Sequence, residues 1–457
     1  MKLIKSLFFS SFLLTAGAFD LSAETIKQAV QIALTSNPAI KATSAEMRAT
    51  VFELIQLRGE YLPTVEVFGE TGVQRIDDPA FLSPAENNSS KSRQLLGVNA
   101  RLVLFDGFRR ANLVYANAAR VDGSILRLLD ASETMALNAA EAYIDVYRHR
   151  SLLRVARRNL VRHREIGLMV KQLVSGGRLP YSDELTIEDR IDFASLAVLE
   201  VQRSLRDAIA RYERVIGRPP PAQMYLQSAP VNTSLQVVTQ NAISNNFRVR
   251  YAQTQVEQSK FDSEVVLSDH LPQLSLNAGV SHGVNRNGLT GDRTDQYVGI
   301  GLRWTLYKGG RKAERNALAE LTNKALFERQ TVVREVRELA VRAFNNFRSI
   351  SERAAMLTQQ FRINKLIVNV YGEEFEAATR SLLDLLEVER SKFNVEFQKV
   401  NAESSVAFST YRILAVQSTL ANHFGVKQSE IALAPNFQQR ATQSQTFVFD
   451  VNIEPLK

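Results

Sequence analysis

The chain of 457 residues contains no cysteine. Disulfides, thiolate metal sites and thiol nucleophiles are excluded, so a chain this long holds together by packing or by association of copies. Proline and glycine are sparse, at 12 and 21, and cluster at a few places, which implies long uninterrupted elements. Past the N-terminal segment no stretch of about 18 apolar residues runs without charge, which excludes an ordinary transmembrane helix. The five histidines show no His-Glu-x-x-His or other ligand spacing, and no Gly-x-Ser-x-Gly elbow is present. Lys308-Gly309-Gly310-Arg311-Lys312 lacks the spacing and the terminal Ser or Thr of a phosphate loop and reads as a strand-to-helix turn. Nothing here indicates an enzyme, a metal or a cofactor. The net charge of +8 does not indicate a nucleic-acid partner either. Its basic residues are interleaved with acids, as in Arg334-Glu335-Val336-Arg337-Glu338, the pattern of solvated helix faces.

What is present begins with Met1-Lys2-Leu3-Ile4-Lys5, an apolar run from Leu7 to Ala18, and small residues before Glu24. That order of charge, core and exit is a secretory signal peptide, assigned to residues 1–23, and it sends the chain out of the cytoplasm. Cleavage fits after Ala18 or Ala23; Ala23 is favoured because a helical pattern starts directly after it.

The chain is then written twice. Ala33, Asn37 and Tyr61-Leu62-Pro63 recur as Ala242, Asn246 and His270-Leu271-Pro272 at one common offset. Leu104-Phe105-Asp106-Gly107-Phe108-Arg109 recurs as Leu306-Tyr307-Lys308-Gly309-Gly310-Arg311 at a shorter offset, because the first half has the longer loop. The shortened offset relates Arg178 to Arg380 and places Ser182-Asp183 against the neighbourhood of Asp384. Arg218-Pro219-Pro220-Pro221 forbids helix and favours an extended connector. The expected divisions are a first repeat at 24–218, a linker at 219–230, a second repeat at 231–425 and a polar tail at 426–457.

Within each half the hydrophobic period changes twice. A helix from Pro38, capped by Asn37, runs to about Glu60. Spacing of two follows, clearest where Leu96, Val98, Ala100, Leu102 and Leu104 alternate with polar or small neighbours, and again at Leu274–Val280 and Val298–Trp304. Segments of roughly 9–11 residues with one apolar and one polar face suit a bilayer outside and water inside. Asn88-Ser89-Ser90 is formally a glycosylation sequon but reads as the polar loop between the first two strands.

From Phe108 to about Val174, and from Arg311 to about Thr379, there is no proline and little glycine. Each run of roughly 65–70 residues makes a rod of about 100 Å at the helical rise. Val332, Val336, Leu339, Ala343, Phe347 and Ile350 step by four or three, a coiled-coil seam. Return helices from about Tyr181 to Ile216 and from about Leu383 to Gly425 can lie antiparallel on the rods. Four strands cannot close a barrel in lipid, which takes at least about eight. The expected fold is therefore mainly α with a small β part: duplicated coiled-coil hairpins forming a hollow helical barrel, and four strands per chain contributing to a trimeric twelve-stranded transmembrane β-barrel.

This pattern resembles the TolC family of outer-membrane efflux and secretion ducts over nearly all of the mature chain, from about Glu24 to Gly425. The most specific matches are the paired strand starts Tyr61-Leu62-Pro63 and His270-Leu271-Pro272, the strand exits at Leu104–Gly107 and Leu306–Gly309, and two helix-reversal tips. The resemblance implies a homotrimer in outer-membrane lipid with a periplasmic tunnel. It implies a closed entrance opened by a periplasmic adaptor and an inner-membrane transporter of the RND or ABC type, and passive export of drugs, other toxic compounds or secreted proteins. It places Asp384 and Glu387 in an entrance-lining acidic ring, and Arg380 with Ser182 and Asp183 in the network that closes the entrance. Gly177, Arg178 and Leu179 on one tip and Ser381, Leu382 and Leu383 on the other become candidate adaptor contacts. Threefold symmetry would turn each acid into three, attracting cations and repelling anions. Three departures stand out: Ala378 where the family commonly has Gly, Phe375 where a gating Tyr is often found, and Glu387 in place of the shorter Asp. A periplasmic coiled-coil adaptor or scaffold that never enters a membrane is the alternative.

Overall fold

Helix starts in this chain are set by side chains that replace the amide partners a first turn lacks. The Thr25 hydroxyl accepts from the Gln28 amide and the Gln28 side chain accepts in return from Thr25, a reciprocal cap for α1 (Ile26–Ser36). Asn37 then caps α2 (Pro38–Gly59), accepting from the Ala39 amide at 2.9 Å while its side-chain amide donates to the Val215 carbonyl. Asn246 repeats both bonds, to the Arg248 amide and the Val416 carbonyl, between α5 (Leu235–Asn245) and α6 (Phe247–Ser268). One residue type thus ties the short helices to the far end of the return helix in each half.

The computed structural model describes residues 25–231 and 234–426. The signal peptide assigned to 1–23, and all of the tail but Val426, lie outside those residues. After α2 come β1 (Thr64–Arg75), β2 (Ser90–Phe105), the rod α3 (Arg109–Ser175) and its return helix α4 (Tyr181–Ile216). After α6 come β3 (Gln273–Val284), β4 (Asp292–Arg303), the rod α7 (Arg311–Glu376), the return helix α8 (Leu382–Val416) and a single turn α9 (Leu420–His423). The rods have 67 and 66 residues, each about 100 Å long. Among the described residues no helix is long and apolar enough to cross a membrane.

The connector from Gly217 to Val231 is strapped down, not loose. Arg150 donates to the carbonyls of Pro221 and Ala222, the Tyr143 hydroxyl accepts from the Tyr225 amide, and Thr410 accepts from the Ala229 amide. Rods and return helices pair as expected, but the second return helix stops at Val416 and not near Gly425. Ser418 there adopts a left-handed φ of 54°, and α9 starts afresh.

The four strands form one antiparallel sheet in the order β1-β2-β3-β4. Register puts every apolar row on the same face: Val67 opposite Val98, Val98 opposite Val280, Ala278 opposite Val298, and Leu276 opposite both Leu102 and Ile300. Most of these side chains stand exposed, Ile300 at 71%, as a lipid-facing band requires. The opposite face carries Glu66, Glu70, Asn99, Arg101, Asn277 and Arg303. Glycine serves close approach there: the Phe68 ring lies over Gly97, where a Cβ would come within 2.5 Å of it.

Two strand expectations need correction. The strands are 12 to 16 residues long, not 9–11. Alternation in β2 also does not run through Leu104, because a bulge between Val103 and Phe105 sets Phe105 opposite Leu274 and leaves Leu104 as the extra residue.

Packing across the protomer has two open flanks. In the hairpin region the helices run in the order α4, α3, α8, α7; nearer the sheet they run α2, α3, α6, α7. One flank is therefore β1, α2 and α4, and the other is β4 and α7. Both carry exposed apolar side chains: Phe52 and Ile55 on α2, Leu196 and Leu199 on α4, and Phe327, Met356, Ile363, Leu366 and Val370 on α7. The last four keep steps of seven, three and four.

Glu133 on α3 is buried, 3% exposed, with its two oxygens accepting from the amides of Leu420 and Ala421 at the start of α9. Burial pushes its carboxyl up to about 8, against those two amides, with Asp130 adding to the rise. The native state then binds a proton that the unfolded chain gives up near 4.5, so stability falls as pH rises from about 4.5 to about 8. Hydrogen exchange at residues 417–426, corrected for intrinsic rate, will show more frequent opening at pH 8.5 than at pH 5. Glu133→Gln will flatten that dependence.

Candidate functional site

Each hairpin turns through one left-handed residue followed by a helix start. At the first tip Gly177 has φ 71°, its amide donates to the Val174 carbonyl, and the Arg178 amide donates to the Leu173 carbonyl. At the second, Ala378 has φ 59°, its amide donates to the Phe375 carbonyl, and the Thr379 amide donates to the Glu374 carbonyl. Ala378 thus holds a conformation that glycine holds more cheaply, by about 1 kcal/mol. These matched bonds align Arg178 with Thr379, one position from the Arg178-to-Arg380 correspondence expected from sequence. They align Asp183 with Asp384, the third helical residue of α4 and of α8 respectively.

Ser381 caps α8: its hydroxyl accepts from the Asp384 amide at 3.2 Å and donates to the Asp384 carboxylate at 2.8 Å. Asp384 is fixed at a helix start, where the helix dipole favours negative charge. Glu387 stands one turn on, exposed and paired with Arg390 at 2.9 Å. Arg380, in the turn after α7, bonds Glu374 at 2.8 Å and lies 4.3 Å over the Tyr371 ring, both on α7. The hydrogen bond and charge of Glu374 hold its guanidinium above the usual arginine range. Within the chain, then, Arg380 stiffens one tip, while Ser182 and Asp183 sit on the other.

Of the tip residues singled out from sequence, Gly177, Arg178, Ser381 and Leu383 are exposed, Leu383 at 63%, and Leu179 is half-buried. Leu382 is corrected as a surface contact. It is 3% exposed, packed with Ile166, Val170, Ile187, Phe375, Leu385 and Leu386. Phe375 fills the same cluster, and the tyrosine ring near the tip comes instead from Tyr371, one turn earlier.

Asp384 and Glu387 line an open cleft of about 490 Å³ between α4 and α8, floored by Asn159 and His163 of α3, with Arg190, Phe193 and Arg390 on its walls. Below it runs a charged seam joining the two hairpins. Glu389, only 1% exposed, takes Arg162 of α3 at 2.8 Å and Lys392 at 2.9 Å, and Arg158 reaches Glu396 at 2.6 Å. Burial works against the charge on Arg162, but its bond to Glu389 holds it above the usual arginine range. This seam escaped the sequence reading. Its signal was an acid, Glu389, at helical spacing from the buried Leu382, Leu385 and Leu386. Arg162→Ala will leave Glu389 half-compensated in a dry interface, costing about 2 kcal/mol after allowance for the arginine's partial exposure. Hydrogen exchange will read this as faster opening along 155–165 and 385–396, with the strands unchanged.

The sequence profile of the outer membrane efflux protein family matches residues 29–218 and 238–416. The chain is 22% identical over 416 residues to the outer membrane efflux protein BepC of Brucella suis, covering 89% of this chain and 88% of that protein. It is 22% identical over 441 residues to the outer membrane protein TolC of Vibrio cholerae, covering 92% and 96%. Among solved structures, the CmeC outer membrane channel of Campylobacter jejuni shares the fold with a TM-score of 0.74 at 14% identity, over 88% of this chain and 87% of that one. The sheet with one lipid-suited face, the rods and the family match agree: the chain belongs to the outer membrane efflux protein family, and it is an outer-membrane channel protein, not an enzyme, whose helical part extends into the periplasm.

Proposed function

We propose that three copies of the chain close into one duct, with twelve strands forming a barrel through the outer membrane and the rods forming a tunnel in the periplasm. The observation that carries this reading is the pair of open flanks. β1 and β4 leave strand edges unpaired in a sheet whose one face is apolar, which lipid does not tolerate. Directly below them α2 and α4 on one side, and α7 on the other, present apolar rows with nothing on them. A ring of copies, flank to opposite flank, satisfies every layer at once. A soluble scaffold would leave both the exposed apolar band and the strand edges unexplained.

The duct conducts passively, with energy supplied by an inner-membrane transporter of the RND or ABC type through a periplasmic adaptor, in drug efflux or in type I secretion of proteins. Asp384 and Glu387 form the acidic ring at the periplasmic entrance. Arg380, Ser182 and Asp183 belong to the network that keeps it closed. Gly177, Arg178, Leu179, Ser381 and Leu383 offer the tip surface to the adaptor.

Purified in detergent, the protein will run as a heat-dissociable trimer; a compact monomer stable in plain buffer would defeat the proposal. In planar bilayers, divalent cations on the periplasmic side will block the current. The double substitution Asp384→Ala with Glu387→Ala will relieve that block, and unchanged block would remove the ring while leaving the duct intact.

A further inference from the structure

The water-facing side of the sheet is not electrically uniform. Toward the loop end several of its charges are matched. Arg93 pairs with Glu70 at 3.1 Å, Lys91 with Glu86 at 3.6 Å, Arg293 with Asp295 at 2.9 Å, and Arg286 also reaches Asp295. Toward the helix end they are not. Arg101 of β2 is level with Thr64 and Asn277, and Arg303 of β4 is level with Gln273; none of these neighbours is charged. Both arginines are exposed and, among the described residues, neither forms an ion pair. Parity in the register sets them on the same face as Asn99 and Asn277, opposite the Val98, Ile300 and Leu302 face. Gly299 on that face of β4 borders open space, while Gly301, beside Arg303, gives room to the uncharged side chains of Asn277 and Ser275. The unpaired acid on the same face is Glu66 of β1, level with Asn99. At the helix end the balance in each chain is therefore two guanidinium groups against one carboxylate.

We propose that Arg101 and Arg303 form a positive collar inside the barrel, just above the tunnel, that draws anions into the membrane-spanning part of the duct. The inference rests on the duct reading, since it needs this face to line a lumen. Symmetry would repeat the pair in each copy, and the ring of like charge raises the local concentration of counter-ions where lipid walls focus the field. Guanidinium offers a fork that fits carboxylate, sulfate and phosphate groups. The collar thus favours cargo carrying such groups. It opposes in sign the acids at the periplasmic tips, so cargo meets a negative mouth first and a positive collar later.

The test measures reversal potential across a planar bilayer holding the assembled protein in a potassium chloride gradient. Relative to the natural protein, Arg101→Gln with Arg303→Gln will lower chloride-to-potassium permeability by at least about twofold at low salt. Arg101→Lys with Arg303→Lys, which keeps the charge, will retain the natural ratio. Screening shortens from about 10 Å at 0.1 M salt to about 3 Å at 1 M, so the difference will shrink at high salt. Channels that open normally but show the same permeability ratio in the glutamine variant would overturn the collar and leave the duct standing. A natural protein that forms no channels at all would overturn the duct and the collar with it.

Discussion

Hydrocarbon offers no partner to a backbone amide or carbonyl, and each one left bare costs several kcal/mol. A four-stranded sheet with an apolar face has two bare edges, so this chain alone cannot occupy the environment its side chains are suited to. The rest of the architecture answers to that demand. The strands exceed the thickness of a bilayer, and their glycines let Phe68 and Tyr297 lie flat across the inner face without crowding. The rods carry the same two flanks downward, so that whatever closes the sheet also closes the helices. Trp304, Tyr307 and Tyr61 gather where strands become helices, the depth at which aromatic side chains prefer to sit in a membrane protein.

Duplication supplies the flanks cheaply but not symmetrically. Asn37 and Asn246 lock equivalent junctions with equivalent bonds, so the frame of each half is the same. Between the halves lies an interface that has no counterpart in either. Glu389 is buried against Arg162, and Glu133 is buried against the turn that follows α8. Both acids come from long helices whose buried faces are mostly small or apolar, so their partners help determine how the two halves register against one another.

Much of this was legible in the residues. Rod lengths, strand faces, the reversal tips and the need for more than one copy follow from periodicity and from where proline and glycine are absent. The TolC-type resemblance noted from the strand starts and exits agrees with the family match. What was not legible depends on partners distant in sequence. The bulge at Leu104 arises because β2 must satisfy two neighbours at once. The burial of Leu382 depends on Ile166 and Ile187 arriving from the other hairpin, and Arg380 turns back from its loop to Glu374 and Tyr371 on α7. The one-residue slip between Arg178 and Arg380 reflects a turn fixed by backbone bonds, which tolerate different side chains at equivalent places.

Ala378 carries a final consequence. Left to itself an alanine favours other backbone, so the second reversal keeps its shape only through the bonds that clasp it, from the Ala378 amide to Phe375 and from the Thr379 amide to Glu374. Gly177 fills the equivalent place in the first hairpin without that cost, so the two elbows of the duplicated chain are unequal in tension although alike in outline.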